Sequence, residues 1–240
     1  MHCLEGQSFP DSAGDVFLLQ GRQKHFFHDL RIIELVNVLY DPDRLGLPER
    51  ELRKLHGYCA MFMLEPKHRK HHRFSSRLHL QRRDLVPAIQ IIDKIDSAFT
   101  AHDTGWEITA LKSLQELIIY LSKCYTNSDS QDATALLRVA DVISLLEKEF
   151  IKPWTLEDLV NTANMSRGNL IRIFRNATGQ TPIEYLIGIR LQRATNFLRN
   201  SELPITEIAY QVGFNDSNYF SRLFRERMNA SPREYRMKYS

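Results

Sequence analysis

The sequence predicts an α+β chain: a small N-terminal β-sheet or barrel, a two-helix element after it, and an all-α C-terminal part. Three observations predict this order. Short β-prone runs punctuated by turn residues occupy residues 14–80. From about Arg83 the apolar residues fall at helical spacing instead. Between Thr155 and Tyr235 a pattern of two helices around a tight turn occurs twice, fifty positions apart.

Length and composition bound the function. At 240 residues the chain has room for two cored domains, or one large one. Its 43% hydrophobic and 25% charged residues are ordinary for a globular protein. No apolar run approaches the ~18 residues that span a bilayer, so no membrane partner is expected. The opening Met1-His-Cys-Leu-Glu-Gly6 lacks the basic flank and apolar core of a signal peptide. Cys3, Cys59 and Cys124 are odd in number without CxxC spacing, which suggests neither a disulfide framework nor a zinc site and fits a reducing cytoplasm. The net charge of +3 is unevenly placed: residues from Ala133 onward carry 15 Lys and Arg against 11 Asp and Glu, and the rest carry 17 against 18. The basic side is where a nucleic-acid-facing domain would lie.

Gly14-Asp-Val-Phe-Leu-Leu19 reads as a short strand, Leu30–Tyr40 as a second closed by the turn Asp41-Pro-Asp43, Gly57–Leu64 as a third ended by Pro66, and Arg73–Leu80 as a fourth with alternating polarity. Such strands suggest an antiparallel sheet or small barrel. The intervening Lys67-His-Arg-Lys-His-His-Arg73 offers His68, His71 and His72 to a metal or phosphate. No carboxylate or cysteine stands beside them, and a solvated loop is the plainer reading.

Leu85, Ile89, Ile92 and Ile95 form an apolar stripe ending at Phe99; Leu111, Leu114, Leu117, Ile118 and Leu121 form another within Trp106–Tyr125. The two helices are expected to pack antiparallel, capping the sheet or offering a surface to a second chain. Thr126-Asn-Ser-Asp-Ser-Gln-Asp132 is small and polar and reads as a linker. The domains expected are 1–82 (β), 83–125 (helix pair, a candidate for dimerisation), 126–132 (linker) and 133–240 (all-α).

Ala133–Phe150 is one helix, stopped before Pro153. Thr155-Leu-Glu-Asp158 is a capping box opening a short helix that carries Leu159 and Ala163. Asn164 tolerates the turn, and Ser166 caps the next helix, Arg167–Ala177. There Leu170, Ile173 and Phe174 point inward, while Arg167, Gly168, Ile171, Arg172 and Arg175 point outward. In the later copy Pro204 opens a helix with Ile208 and Val212, Gly213 takes the turn and Asp216 caps the next helix. Phe220, Leu223 and Phe224 form its apolar face, and Ser217, Asn218, Ser221, Arg222 and Arg225 the opposite one. At the offset of fifty, Arg172/Arg222, Phe174/Phe224, Arg175/Arg225, Pro182/Pro232, Glu184/Glu234 and Tyr185/Tyr235 are identical. Each copy is thus a helix-turn-helix. Pro182–Asn200 runs between them as one helix, roughly 28 Å long at ~1.5 Å per residue. That length suits two helices entering successive major grooves about 34 Å apart.

Arg167, Arg172, Arg175, Arg222, Arg225 and Arg227 crowd the two outward helices with only Asp216 and Glu226 to balance them. The chemistry assigns expected roles. Arg172 and Arg222 reach guanine edges, Asn218 pairs with adenine and Ile171 touches a thymine methyl. Arg175 and Arg225, a turn further on, meet phosphates.

Met165-Ser-Arg-Gly-Asn-Leu-Ile-Arg-Ile-Phe-Arg175, Gly179-Gln-Thr-Pro-Ile-Glu-Tyr185, Ile208-Ala-Tyr-Gln-Val-Gly-Phe214 and Tyr219-Phe-Ser-Arg-Leu-Phe-Arg225 resemble the AraC/XylS family of bacterial transcription regulators. The resemblance covers about 135–240. It implies a bipartite seven-helix DNA-binding domain that contacts promoter DNA and, in activators, RNA polymerase. Gly168 departs from the pattern, because the matching position often carries a larger side chain that contacts DNA. The N-terminal part looks like the cupin sensing domain common in such regulators: Gly14-Asp-Val-Phe-Leu-Leu19 followed by His25 resembles the second cupin motif, with Gln20 and Arg22 where that motif has Pro and Gly. Only thirteen residues precede Gly14, which leaves no room for the first cupin motif and its metal ligands. The expectation is an incomplete barrel without a metal, in which His25 packs or contacts an effector.

The reading is therefore a cytoplasmic, dimeric transcription regulator that needs no cofactor, senses a small molecule such as a carbohydrate and binds promoter DNA. The alternative is a metal-dependent cupin enzyme with a helical appendage, which needs three or four convergent ligands where the sequence offers His25 alone. A regulator that binds DNA constitutively is a third option.

Overall fold

The computed structural model describes residues 2–4, 7–9, 12–19, 25–27, 34–68, 78–127 and 131–239. The chain divides into two compact units, Met1–Ala140 and Asp141–Ser240.

In the first unit the strands are short. β1 (His2–Leu4) lies between β2 (Gln7–Phe9) and β4 (His25–Phe27) in an antiparallel sheet, His2 standing opposite both Phe9 and Phe27. β3 (Asp15–Val16) pairs antiparallel with β5 (Leu78–His79). Asp15 Oδ1 lies 2.8 Å from Nδ1 of its register partner His79 and ties the small ladder across its outer pair. Helices dominate the rest: α1 (Pro42–Leu45), α2 (Glu49–Leu52), α3 (His56–Tyr58), α4 (Glu65–His68), α5 (Arg82–Ala101) and α6 (Trp106–Thr126).

Two strand expectations are overturned. Gly57–Leu64 is helical: α3 passes through a π-helical segment, Cys59–Leu64, into α4, and Pro66 lies inside that last helix. Its Tyr58, Cys59, Ala60, Met61, Phe62 and Leu64 are all buried, and a short run that is apolar on every side has no period to separate strand from buried helix. Tyr58 and Phe62, one turn apart, stack at 5.1 Å between centroids. Gly57 permits the approach to α6, since a Cβ there would fall 2.0 Å from the Ser122 carbonyl oxygen. Leu30–Tyr40 also fails as a strand over its described part, 34–40, which has no regular structure. Leu35, Val36, Val38 and Leu39 are exposed there, and β-propensity without a partner strand and a covered face has nothing to act on. Of the strand expected at Gly14–Leu19, the structure forms Asp15–Val16, and of Arg73–Leu80 it forms Leu78–His79, residues 73–77 lying outside the described part. The described strands form two small sheets and not a barrel. Of the basic histidine run, His71 and His72 lie outside the described residues.

The helix pair forms, and on α6 the expected stripe is buried at Leu114, Leu117 and Ile118. On α5 the buried residues are instead Ala88 and Ile91, while Ile89 and Phe99 of the expected stripe are exposed, because that stripe faces partly away from α6. α5 and α6 pack antiparallel, with Tyr120 donating its hydroxyl to the Asp84 carbonyl oxygen at 2.8 Å and Lys94 bridging to Glu116 at 3.2 Å. α6 ends at Thr126 and the next helix, α7 (Gln131–Lys148), carries the division between the units.

The second unit contains α8 (Leu156–Ala163), α9 (Arg167–Thr178), α10 (Pro182–Asn200), α11 (Ile205–Gln211), α12 (Ser217–Met228) and α13 (Pro232–Tyr239). The start signals expected at Thr155, Ser166 and Asp216 hold, and the structure adds two more. Thr155 and Asp158 form a reciprocal capping box, as do Thr181 and Glu184. Ser231 and Glu234 make the same pair of bonds, so the box itself recurs at the offset of fifty. Asn164 (φ 48°) and Gly213 (φ 93°) take the turns in the left-handed region.

Packing repeats as well. Phe174 meets Tyr185 edge to face with centroids 5.5 Å apart, and Phe224 meets Tyr235 the same way at 5.4 Å. In the second copy Leu191, Ala194 and Leu198 of α10, Ile208 and Ala209 of α11, Phe220 and Phe224 of α12, and Val212 and Phe214 between them close one core. Arg190 fastens this core to the segment after α7. Its Nε donates to the Phe150 carbonyl oxygen at 2.8 Å and its Nη2 to that of Lys152 at 2.7 Å. Gly213 lies against the same segment, where a Cβ would stand 2.8 Å from the Ile151 carbonyl oxygen.

Candidate nucleic-acid interface

α9 and α12 are the second helices of the two repeated units, and each is capped where its sequence demands. Ser166 Oγ accepts from Asn169 N at 3.4 Å; Asp216 Oδ1 accepts from Asn218 N at 2.7 Å and from Tyr219 N at 2.9 Å. The inward faces, Leu170, Ile173 and Phe174 on α9 and Phe220 and Phe224 on α12, are buried. This burial fixes which residues face solvent. On α9, Arg167, Gly168, Arg172 and Arg175 are exposed and Ile171 is half-buried. On α12, Asn218, Arg222 and Arg225 are exposed and Ser217 and Ser221 are half-buried.

The exposed side chains are not equally available. Arg167 Nη1 stands 3.5 Å from Glu157 Oε1 of α8, an exposed pair that solvent and salt weaken. Arg172 Nη2 donates to Asn169 Oδ1 at 2.7 Å, one helical turn back. Arg222 lies over the ring of Tyr219, its Cζ 5.3 Å from the centroid. Asn169 and Tyr219 occupy equivalent positions in the two copies, and the sequence reading did not single out either. Their i, i+3 spacing to the arginines was the available signal. Arg175 and Arg225 each lower the pKa of a capping glutamate. Glu184 is held below its ordinary range chiefly by the Thr181 N–H and hydroxyl, with Arg175 adding to it; Glu234 is held down in the same way by Ser231, with Arg225 adding. Gly168 faces open space, with nothing within 4 Å of a built Cβ.

His25, read as an effector contact, opens β4 opposite Leu4, and its side chain lies outside what the structure describes. Among the described residues no group of three His, Cys, Asp or Glu side chains could hold a metal, and no helix is long and apolar enough to cross a membrane.

The family described as a helix-turn-helix domain matches residues 159–238. The HTH-type transcriptional activator RhaS of Escherichia fergusonii is 30% identical over 237 residues, covering 98% of this chain and 81% of that protein. The chain belongs to the AraC/XylS family of transcription regulators. RhaS of Shigella sonnei is 27% identical over 241 residues, again across 98% of this chain and 81% of the relative. Among solved structures, the DNA-binding domain of AdpA in complex with a target DNA is 32% identical, covers 42% of this chain and 92% of its own, and superposes with a TM-score of 0.40.

Membership makes this protein a DNA-binding transcription regulator whose partner is double-stranded DNA. It also sets aside the metal-dependent enzyme, because the family is one of regulators.

Proposed function

We propose that this AraC/XylS regulator binds promoter DNA by placing α9 and α12 in successive major grooves, with α10 as the spacer. The observation that carries it is the pair of equivalent helices, each buried on its phenylalanine side and presenting exposed arginines on the other. Arg172 and Arg222 address guanine edges, Asn218 an adenine, and Ile171 a thymine methyl. Arg175 and Arg225 neutralise phosphates, with Arg167, Gly168, Ser217 and Ser221 at the margins of the contact. The all-α part, 133–240, carries this function.

The N-terminal part, 1–125, would sense a small molecule, a carbohydrate being the class its cupin-like motif suggests, with His25 as one contact and α5–α6 as the surface for a second copy. Residues 126–132 would link the parts. Effector binding would act by favouring one presentation of the DNA-binding units, which requires different affinities in the two states. The RhaS relatives are named activators; carried over here, that name supports contact with RNA polymerase in the cytoplasm.

Selection of duplexes from a randomised pool on the purified chain tests the reading. Enriched sequences should share two half-elements about one helical turn apart, and Arg222→Ala should flatten the preference at one base position. Arg225→Ala should weaken all sequences alike. No enrichment at moderate salt would overturn the proposal.

A further inference from the structure

We propose that Tyr219 is a positioning residue that sets Arg222 for base reading, and that the two units hold their reading arginines by different means. The inference rests on the reading that Arg222 addresses a base edge.

Tyr219 lies on α12 one turn before Arg222, and the residue is 41% exposed, open enough to receive a guanidinium. It is also fixed from behind. Phe214, buried in the turn between α11 and α12, meets the Tyr219 ring edge-on at 6.2 Å, and Arg190 of α10 lies over Phe214 with its Cζ 5.7 Å from that centroid. Arg190, Phe214, Tyr219 and Arg222 therefore form a continuous row from the spacer helix to the exposed face of α12. Arg190 is itself anchored to the Phe150 and Lys152 carbonyl oxygens, so the row begins on a fixed point.

The two modes of restraint leave the arginines with different capacities. A guanidinium carries five N–H donors, and reading guanine takes two of them in one plane. Arg172 already gives one Nη2 donor to Asn169 Oδ1. Arg222 is held by a ring face, which takes up no donor and limits the rotamers that binding must otherwise freeze. Among the described residues Arg222 gives no hydrogen bond, so the second unit presents a pre-oriented arginine with its donors unspent, and it should discriminate guanine more strongly than the first.

The test is selection on randomised duplexes with the full chain and four variants: Arg222→Ala, Tyr219→Phe, Tyr219→Leu and Asn169→Ala. Tyr219→Leu should lose roughly two- to fivefold in preference at the base position that Arg222→Ala flattens. Affinity for duplexes of random sequence should stay unchanged. Tyr219→Phe keeps the ring and should retain the preference, and Asn169→Ala should leave that position untouched. A loss in Tyr219→Phe equal to that in Tyr219→Leu makes the hydroxyl a direct contact and overturns the positioning role. So does a uniform loss across sequences, which marks a structural effect. If Arg222→Ala flattens a position that Tyr219→Leu spares, positioning fails alone; if Arg222→Ala flattens none, the base-reading assignment fails first.

Discussion

Arg190 Nε donates to the carbonyl oxygen of Phe150 at 2.8 Å, across forty residues of sequence. With the second bond to Lys152, one guanidinium satisfies two backbone acceptors at the start of the DNA-binding unit. Burial pushes the Arg190 pKa below its usual range, but an arginine stays charged throughout, so the clamp does not switch off with pH.

Arg190→Met should cost about 2–4 kcal/mol, because it leaves both carbonyl groups without their charged donor. Arg190→Lys should recover only part of this, since an ammonium cannot reproduce the two-pronged geometry. Urea titration followed by Trp154 fluorescence, in a chain carrying Trp106→Phe, reads the loss. Trp154 is a suitable reporter because its Nε1 donates to the Glu149 carbonyl oxygen beside the clamped segment. Equal midpoints for Arg190→Met and the parent would show that the clamp adds no stability.

Gly213→Ala should be more damaging than Gly179→Ala, although both residues have positive φ, 93° and 77°. At Gly179 a Cβ meets open space, and the expected cost is the backbone penalty alone, about 1 kcal/mol. At Gly213 the added atom would press on the backbone of Ile151, at 2.8 Å from its oxygen and 2.9 Å from its Cα. Thermal midpoints of the two variants should separate by several degrees. Indistinguishable midpoints would mean that the Ile151 segment gives way freely.

The capping carboxylates Asp158, Glu184 and Glu234 predict a common acid response. Hydrogen bonds from Thr155, Thr181 and Ser231 hold all three below their ordinary values. A carboxylate with a depressed folded-state pKa adds stability that is complete above its unfolded value, 4.5 for the glutamates. That stability is lost as pH falls through the lower folded value. The gap in thermal midpoint between the parent and Glu184→Gln should therefore be widest near neutrality and close below pH 4.5. A gap that stays constant with pH would remove ionisation from the account.

Gly168→Arg should strengthen DNA binding. The position is exposed and a side chain there meets nothing of the protein. One added cation against the duplex should steepen the fall of log affinity with log salt by about 1. An unchanged slope would mean that this end of α9 stays away from the DNA backbone.

The C-terminal helices were legible because several independent signals agreed on each boundary. Thr155, Ser166 and Asp216 mark helix starts by hydrogen bonds that only such side chains make. Asn164 and Gly213 mark the turns by backbone conformation, and Phe174 and Phe224 mark the buried faces by spacing. The N-terminal segments lacked this agreement. Tyr58–Leu64 is apolar without a period, and the close pass of the α6 backbone at Gly57 is a contact over sixty residues away in sequence that a local pattern does not show. In the candidate interface the exposed arginines followed from periodicity. Their attachments to Asn169 and Tyr219 depend on rotamers, which a residue pattern does not encode.

The uninterrupted course of α10 from Pro182 to Asn200 has a rotational consequence. Inserting one residue into an α-helix turns everything beyond it by about 100° and advances it by only ~1.5 Å. On the proposed docking, α12 would then be aimed away from the groove that α9 enters while standing almost as far along the duplex as before. An operator read in this way would be matched to an angle as much as to a distance. Tolerance to altered half-site spacing should vary with the helical phase of the DNA and not fall off smoothly with the number of base pairs added.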